Sequence, residues 1–231
     1  MISIRNVNQL YGGTQILWDL DLEIEQGSCT CIMGRNGVGK TTLLKCLMGL
    51  LPIQSGEILM EEQALHTRPA EYRARAGIGY VPQGRDIFPL LTVEENLRIG
   101  LPIRKDKAKD IPDKIFELFP VLGEMMHRRG GDLSGGQQQQ LAIGRALVLD
   151  PKVLILDEPN EGIQPNIVKQ IGDVILKLNE EEGLTVILVE QKLGFARRVG
   201  KEFRLMEKGR IVAADRMDNL NDELIRQYLA V

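Results

Sequence analysis

Short apolar runs, most of them ended by glycine or charged residues, recur along this chain and predict β-strands. In the first sixty positions they predict four strands, over residues 2–7, 16–24, 29–33 and 56–60. A fifth run over 78–81 ends at Pro82 and Gln83. Runs at 153–156 and 185–189 are almost continuously apolar, which is typical of parallel strands covered on both faces. The last predicted pair is a hairpin, 203–206 and 210–213, that turns at Lys208 and Gly209.

Apolar residues at helical spacing predict the helices between these strands. Residues 42–48 form one such segment, and a longer one has Ile167, Ile171 and Leu178 on a single face and stops at Gly183. Residues 92–131 are charged and predicted to be mostly helical, with Thr92 as the N-cap. The pattern therefore predicts one α/β domain over 1–231, with a helical subdomain inserted at about 92–150.

Composition narrows the class of protein. The 231 residues are 43% hydrophobic and 26% charged, which is ordinary for a globular protein, and the net charge of −3 argues against a nucleic-acid groove as the main surface. No apolar run approaches the ~20 residues that cross a bilayer, and the N-terminus lacks a signal-peptide core, so we expect a cytosolic protein. The three cysteines are expected to be reduced core residues.

The segment GRNGVGKTT fits the phosphate-loop pattern G-x-x-x-x-G-K-[ST] and lies between a predicted strand and a predicted helix. Glycines let successive backbone N–H groups point at phosphate oxygens, and the following helix N-terminus adds positive potential. Lys40 is expected to reach the β- and γ-phosphates and Thr41 to ligate Mg²⁺. The alternative is a glycine-rich turn with an accidental lysine. The predicted nucleotide-binding residues of this loop are Gly34, Arg35, Asn36, Gly37, Val38, Gly39, Lys40, Thr41 and Thr42.

Two further motifs follow. The segment LSGGQ places Ser134 and two glycines at a helix start, which favours anions, although alone it could be only an N-cap. An apolar strand then delivers Asp157 and Glu158 at its tip, where ligands bind in open α/β sheets. Asp157 is expected to hold Mg²⁺, directly or through water, and Glu158 to orient or deprotonate the attacking water. The alternative is a pair of solvated acids that ends the strand.

This order of motifs, a phosphate loop, a glutamine after a strand, LSGGQ and an apolar strand with Asp-Glu, resembles the ATP-binding subunits of ABC transporters over essentially the whole chain. The resemblance implies that Tyr11 stacks on adenine and that Gln83 senses Mg²⁺ and the attacking water and links the site to the membrane partner. Without it, Tyr11 is an exposed aromatic at a strand end and Gln83 an ordinary loop residue. The signature residues implied to close over the γ-phosphate of ATP on the other subunit are Ser134, Gly135, Gly136 and Gln137.

The resemblance also implies the fold, an α/β P-loop NTPase of ABC type with a mixed central sheet and an N-terminal antiparallel β subdomain. It further implies cofactors, partners and location. The cofactors are ATP and Mg²⁺. The partners are a second copy or a sister ATP-binding subunit in a head-to-tail pair, two integral membrane permease subunits and, indirectly, a substrate-binding protein, with no nucleic acid. Such a subunit lies peripherally at the cytoplasmic face of the inner membrane.

Two departures from the family pattern matter. Gln191 takes the place of the usual switch histidine, so an amide that cannot titrate is expected to donate to a γ-phosphate oxygen. The usual Ser-Ala-Leu-Asp after the Asp-Glu pair is replaced by Glu161, Gly162, Ile163 and Gln164. This replacement puts in doubt the communication across the dimer that the family's aspartate mediates.

The departures narrow the subfamily. Val-Glu-Gln after the strand, Glu-Gly-Ile-Gln-Pro, and Gly-Arg-Asp-Ile-Phe-Pro resemble branched-chain amino acid and urea importers, and the phosphate-loop and LSGGQ runs most resemble the second ATP-binding subunit of urea importers. We therefore expect the ATP-hydrolysing subunit of a bacterial importer for urea or a related small amide or amino acid. The alternative is a soluble ABC-type ATPase that acts in DNA repair or translation. The apolar segment 84–101 is expected to contact the permease, or else to be buried under the helical subdomain.

Overall fold

The computed structural model describes residues 1–229 and contains two β-sheets with helices around them. The last two residues of the predicted domain lie outside the described part. The strands are β1 (Ile2–Tyr11), β2 (Thr14–Ile24), β3 (Cys29–Met33), β4 (Ser55–Met60), β5 (Gln63–Ala64), β6 (Ile78–Val81), β7 (Val153–Asp157), β8 (Thr185–Val189), β9 (Glu202–Glu207) and β10 (Arg210–Arg216). The helices are α1 (Lys40–Met48), α2 (Ala70–Ala76), α3 (Val93–Arg98), α4 (Asp113–Leu118), α5 (Pro120–Glu124), α6 (Gly135–Leu147), α7 (Pro165–Glu180), α8 (Leu193–Val199) and α9 (Asp222–Tyr228).

The central sheet is mixed, as the sequence predicts. Its order is β10-β9-β3-β8-β7-β6, in which β9 and β10 are antiparallel and the other neighbouring pairs are parallel. Every residue of β3, β7 and β8 is buried, because both faces of the sheet are covered. Since these strands are parallel, their carboxyl ends lie at one edge, and the loops that follow them meet there.

Alternate residues of the central strands contribute to two apolar cores. On one face, Ile32 and Val153 pack with α1 and with strands β1 and β2. On the other face, Cys31 and Leu154 pack with the helices between β6 and β7 and with α7 and α8. The N-terminal sheet, order β2-β1-β4-β5, is antiparallel throughout. The predicted mixed central sheet and N-terminal antiparallel β subdomain are both present.

The segment between β6 and β7 is less helical than the sequence predicts. Thr92 caps α3 as expected, in a capping box with Glu95. Beyond α3, however, the chain up to α6 forms only the short helices α4 and α5 and two 3₁₀ turns. The reason is proline: Pro102, Pro112 and Pro120 each lack the N–H that would continue a helix, and each stands at or next to a helix start.

The cysteines agree with a further expectation. Cys29, Cys31 and Cys46 are buried free thiols in the described chain. Within residues 1–229, none of the helices combines the length and the apolar character that crossing a bilayer requires.

Candidate functional site

Four loops meet at the carboxyl edge of the central sheet. The phosphate loop follows β3, Gln83 follows β6, Glu158 follows β7 and Gln191 follows β8. The register holds these loops together, because Ile32 and Asp157 both pair with Val189. The backbone N–H of Glu158 also donates to Val189 O at 2.9 Å. The parallel sheet thus brings together motifs that lie far apart in the sequence.

The conformation of the phosphate loop requires glycine at two places. Gly39, the N-cap of α1, has φ 107°, a left-handed conformation that favours glycine. Gly34 has φ 155°, and a Cβ added there would lie 2.3 Å from Met206 O, so the close approach of the β9 backbone excludes a side chain. These constraints curl the loop around the N-terminus of α1, where positive potential and free N–H groups favour an anion.

Lys40 lies inside this loop. Its side chain is 5% exposed, and Nζ donates to Gly34 O at 2.8 Å and to Arg35 O at 2.9 Å. Burial lowers the pKa of Lys40, while the carboxylates of Glu158 and Asp157 oppose that shift. The ammonium group is therefore partly stripped of water, and a phosphate would replace hydrogen bonds to neutral carbonyl oxygens with hydrogen bonds to oppositely charged oxygens.

Asp157 has the properties of a metal ligand. It is 1% exposed, and neither carboxylate oxygen has a hydrogen-bond partner. Burial raises the pKa of Asp157; the Thr41 hydroxyl, near the carboxylate but outside hydrogen-bond geometry, opposes this rise, and Glu158 reinforces it. Buried polar groups are normally paired, so an unpaired carboxylate needs a partner. A carboxylate next to a threonine hydroxyl supplies the hard oxygen ligands that Mg²⁺ prefers, so these residues fit the ion.

Two of the three predicted catalytic residues, Gln83 and Gln191, each contact the third, Glu158. Gln191 Nε2 donates to Glu158 Oε1 in a short hydrogen bond. Gln83 Nε2 lies 3.5 Å from Glu158 Oε2 and 3.0 Å from a carboxylate oxygen of Glu161. Glu158 itself has a left-handed backbone with φ 48°, which for a non-glycine residue is typical of functional sites. Two amides thus orient one carboxylate at the mouth of the phosphate loop.

A cavity of about 750 Å³ joins these loops. The predicted residues that line it are Tyr11, Asn36, Gly37, Gly39, Lys40, Thr41, Thr42, Gln83, Glu158 and Gln191. Tyr11 is exposed, and Ile16 lies beside it on the cavity wall. Among the predicted residues of the phosphate loop and the strand tips, those outside the lining are Gly34, Arg35, Val38 and Asp157. Of these, Arg35 accepts from Lys40, Val38 packs against the core and Asp157 is buried.

Four lining residues were missed by sequence reasoning: Ile16, Glu161, Glu190 and Lys192. Glu190 is buried, and its Oε1 accepts from the backbone N–H of Gln191 and of Lys192 at 2.8 Å each. Its other oxygen accepts from Asn160 at 2.7 Å. Glu190 therefore shapes the turn that presents Gln191. The signal was present in the Val-Glu-Gln motif, which sequence reasoning used only for its glutamine.

The LSGGQ residues occupy a different place. Ser134 caps α6 in a capping box with Gln137, whose backbone N–H lies 3.4 Å from the serine hydroxyl. Ser134, Gly135, Gly136 and Gln137 line a second cavity of about 800 Å³, and no residue lines both cavities. Within one chain, the structure does not bring this helix N-terminus into the phosphate-loop cavity.

Comparison with known proteins gives a consistent picture. The family model described as ABC transporter matches residues 17–161. The chain is 44% identical over 216 residues to the high-affinity branched-chain amino acid transport ATP-binding protein BraG of Pseudomonas aeruginosa, covering 93% of this chain and 92% of that protein. It is 34% identical over 228 residues to the glutamate/aspartate import ATP-binding protein GltL of Escherichia coli, with coverages of 96% and 94%.

Solved structures show the same architecture. A dimeric ATP-binding cassette in a post-hydrolysis state, bound to ADP and phosphate, matches with a TM-score of 0.84 at 26% identity, over 94% of this chain and 99% of that chain. A nucleotide-free ATP-binding cassette from an ABC transporter matches with a TM-score of 0.82 at 27% identity, over 100% of this chain and 95% of that chain.

Proposed function

The chain belongs to the ABC transporter family as an ATP-hydrolysing, ATP-binding subunit, and from this premise we propose that it energises a bacterial importer of branched-chain amino acids or of a related small amide such as urea. The observation that carries the proposal is the 44% identity to BraG over nearly the full length of both proteins. GltL, also an amino acid import protein by its description, is 34% identical. Urea rests on the sequence resemblance alone.

Each residue of the cavity has a proposed role. The backbone of the phosphate loop and Lys40 bind the β- and γ-phosphates, and Tyr11 stacks on the adenine at the outer wall. Thr41, Asp157 and Gln83 hold Mg²⁺, which when bound neutralises charge that develops on the phosphate oxygens. Glu158, oriented by the amides of Gln191 and Gln83, accepts a proton from the attacking water or orients it.

The complete site is proposed to need two chains. The phosphate loop and the LSGGQ helix start line separate cavities, so a second chain in head-to-tail orientation supplies Ser134, Gly135 and Gly136 to the nucleotide of the first. Hydroxyl and backbone N–H groups at that helix start suit the γ-phosphate. The second chain is a copy of this one or a sister subunit.

The membrane partner is proposed to be a pair of permease subunits, which hold the protein at the cytoplasmic face of the inner membrane; a substrate-binding protein acts through them. Phe88 is 46% and Leu90 79% exposed, and both lie in the loop after β6. Exposed apolar side chains in one loop favour an apolar contact with a protein partner. We propose that the chain acts as one ABC-type domain, in which the segment 84–101, which leads into the helical subdomain at about 92–150, makes this contact.

Uptake measurements test the substrate. In cells that lack this subunit, uptake of labelled leucine and of labelled urea should be compared before and after the gene is returned. Loss and recovery of leucine uptake supports a branched-chain amino acid importer, and the same result for urea supports a urea importer. If neither uptake changes, both substrates are excluded.

A solubilised-membrane purification separates the importer from a soluble ABC ATPase of DNA repair or translation. The tagged subunit should be isolated with and without ATP, and its partners identified. Integral permeases in stoichiometric amounts support the importer. Ribosomal or DNA-repair partners, with permeases absent, would instead support the alternative function.

A further inference from the structure

We propose that Arg85 is a positioning residue that ties the loop after Glu158 to the LSGGQ helix of the same chain. The inference rests on the two-chain ATPase proposed above. Arg85 Nη1 donates to Gln138 Oε1 on α6 at 3.3 Å, and Nη2 donates to the backbone O of Glu161 at 3.3 Å. One planar guanidinium therefore bridges α6 and the loop after Glu158. Among the described residues, no side-chain hydrogen bond joins Glu161 directly to Gln138.

Packing confirms that Arg85 fills the space between these elements. A methyl group added at Gly135, the first residue of α6, would lie 3.2 Å from Nη2 and 3.3 Å from Nη1 of Arg85. A methyl group added at Gly162 would lie 3.9 Å from Nη2. The guanidinium thus lies against the first turn of the LSGGQ helix on one side and against the loop after Glu158 on the other.

The backbone around Arg85 is strained and clamped in place. Gly84, Arg85 and Asp86 have φ of 85°, 76° and 47°, so three successive residues are left-handed. Such a conformation is costly for non-glycine residues and persists only where the surroundings impose it. Arg145 of α6 imposes it here, because its Nη2 donates to Asp86 O at 2.7 Å and to Arg85 O at 3.4 Å.

Arg85 completes a continuous path from the catalytic carboxylate to α6. Gln83 Nε2 reaches both Glu158 and the Glu161 side chain, and the backbone O of Glu161 accepts from Arg85. None of the ion pairs of residues 1–229 includes Arg85. Both acceptors of its guanidinium named above are uncharged oxygens. Movement of the loop after Glu158 is therefore passed to the LSGGQ helix through the guanidinium.

This path answers a question that the sequence raises. Gln164 stands where the family has the aspartate that communicates across the dimer. In this chain, the Arg85 bridge supplies a link of another kind, within one chain. The position of the LSGGQ residues that would contact the partner's nucleotide then depends on the positions of Gln83, Glu158 and Glu161 in the same chain.

The test uses an E158Q background, in which MgATP should trap the two-chain form. The ATP concentration at half-maximal dimer, measured by size exclusion with light scattering, is compared for E158Q alone and with R85A, R85K, Q138A or R85A/Q138A added. R85A should raise that concentration about tenfold, the low end for hydrogen bonds made by a charged group, because both bonds are long. R85K should also raise it, since an ammonium lacks the planar fork that bridges both acceptors.

Two readouts separate positioning from general damage. Binding of a fluorescent ATP analogue to the monomer should change less than about twofold, and the melting temperature less than about 2 °C. R226A, which removes an exposed arginine on α9, serves as the matched control and should leave the half-maximal concentration unchanged. The double variant should be no worse than R85A, because R85A and Q138A remove the same link.

The outcomes are distinct. If E158Q alone does not dimerise with MgATP, the proposed two-chain function is overturned, and the Arg85 proposal with it. If E158Q dimerises but R85A leaves the half-maximal concentration unchanged, or if R85A and Q138A add independently, only the Arg85 proposal is overturned. Should R85A fail to fold, Q138A still removes one anchor of the bridge with Arg85 in place and must raise the concentration.

Discussion

The side-chain amide of Gln191 donates to Glu158, although the two residues follow different strands of the central sheet. The contact exists because β7 and β8 are parallel neighbours in register, so their following loops start side by side. The orientation of the Glu158 carboxylate is therefore set by the protein itself. Preorganised polar groups of this kind act on charge that develops during a reaction without reorganising at that moment.

Glu158→Gln should leave ATP binding intact and lower hydrolysis by orders of magnitude. Glutamine keeps the size of the side chain and one of the two acceptor oxygens, but it removes the carboxylate that orients or deprotonates water. Steady-state phosphate release and ATP-analogue binding measure the two effects. Glu57→Gln, an exposed change on β4, is the control and should behave as wild type. Near-wild-type turnover of Glu158→Gln would remove this residue from the catalytic role.

Lys40→Ala should fail at nucleotide binding itself. Lys40 is buried inside the phosphate loop, and without it the charge of the β- and γ-phosphates is unmatched. A hydrogen bond to a charged group is worth about 1.5–3 kcal/mol, so affinity should fall at least tenfold to a hundredfold. Isothermal titration with MgATP measures it, with the exposed Lys201→Ala as control. Tight binding by Lys40→Ala would contradict the assignment of the phosphate loop.

Local patterns of strand, glycine loop and helix start predicted the phosphate loop and the Asp157–Glu158 strand tip, whereas the expected roles of Gln83 and Gln191 came from the family resemblance. The sequence did not predict that Gln83 is shared between Glu158 and Glu161, since those contacts join positions 75 and 78 residues apart. Nor did it predict Arg85, whose partners belong to two other segments. Such contacts depend on how the loops meet at the sheet edge, and the order of residues along the chain does not show how they meet.

The short helices escaped prediction for a similar reason. α2 spans only seven residues, too few for a helical apolar stripe to be recognised. Tertiary contacts stabilise it: Arg73 is buried and donates to the carbonyl groups of Cys46 and Leu47 at the end of α1. The guanidinium thus caps carbonyl groups at the end of α1, one of which, Cys46 O, also accepts from the backbone N–H of Gly49.

Leu90→Glu and Phe88→Glu should uncouple ATP hydrolysis from transport without unfolding the protein. Both side chains are exposed, and Asn96 holds their loop through Phe88 N at 2.9 Å and Phe88 O at 3.0 Å. A carboxylate at either position disfavours an apolar contact with the permease. Uptake and ATPase activity should be compared in the assembled importer, alongside thermal melting. A lost melting transition in the less enclosed variant, Leu90→Glu, would show that the loop belongs to the core.

Asp157→Asn should raise the melting temperature of the nucleotide-free protein and remove its stabilisation by Mg²⁺ with ATP. Burial raises the pKa of Asp157, so the folded state binds its proton more tightly than the unfolded state and the ionised form destabilises the fold. The gain in stability from asparagine is therefore absent at a pH below the ordinary pKa of aspartate. It grows as the pH rises from there through the raised pKa of Asp157.

At pH 7, Asp157→Asn should melt roughly 2–4 °C higher, the shift that about 1 kcal/mol produces in a domain of this size. Melting curves at pH 4 and pH 7, with and without MgATP, measure both effects. A variant that is less stable at pH 7, or one that MgATP stabilises as well as wild type, would show that Asp157 is not an unpaired metal ligand.

Gln191→Ala should lower hydrolysis roughly ten- to a hundredfold. The Gln191 amide donates to the Glu158 carboxylate, and we propose that it donates to a γ-phosphate oxygen when ATP is bound. One hydrogen bond to a charged oxygen is worth about 1.5–3 kcal/mol, and about 1.4 kcal/mol changes a rate tenfold. The exposed Gln227→Ala on α9 is the matched control. A Gln191→Ala rate equal to wild type would leave this glutamine with only the task of ending the strand.

The pH profile separates the two roles considered for position 191. An amide does not titrate, so wild-type activity should show no histidine-like loss from pH 7 to pH 5.5 at this position. Gln191→His should recover much of the rate at neutral pH, because a neutral imidazole still donates one hydrogen bond, and its ordinary pKa near 6.5 adds a new dependence on the acid side. ATPase assays of wild type and both variants across this range decide it. If Gln191→His keeps the wild-type profile, the side chain at 191 does not reach the reacting groups.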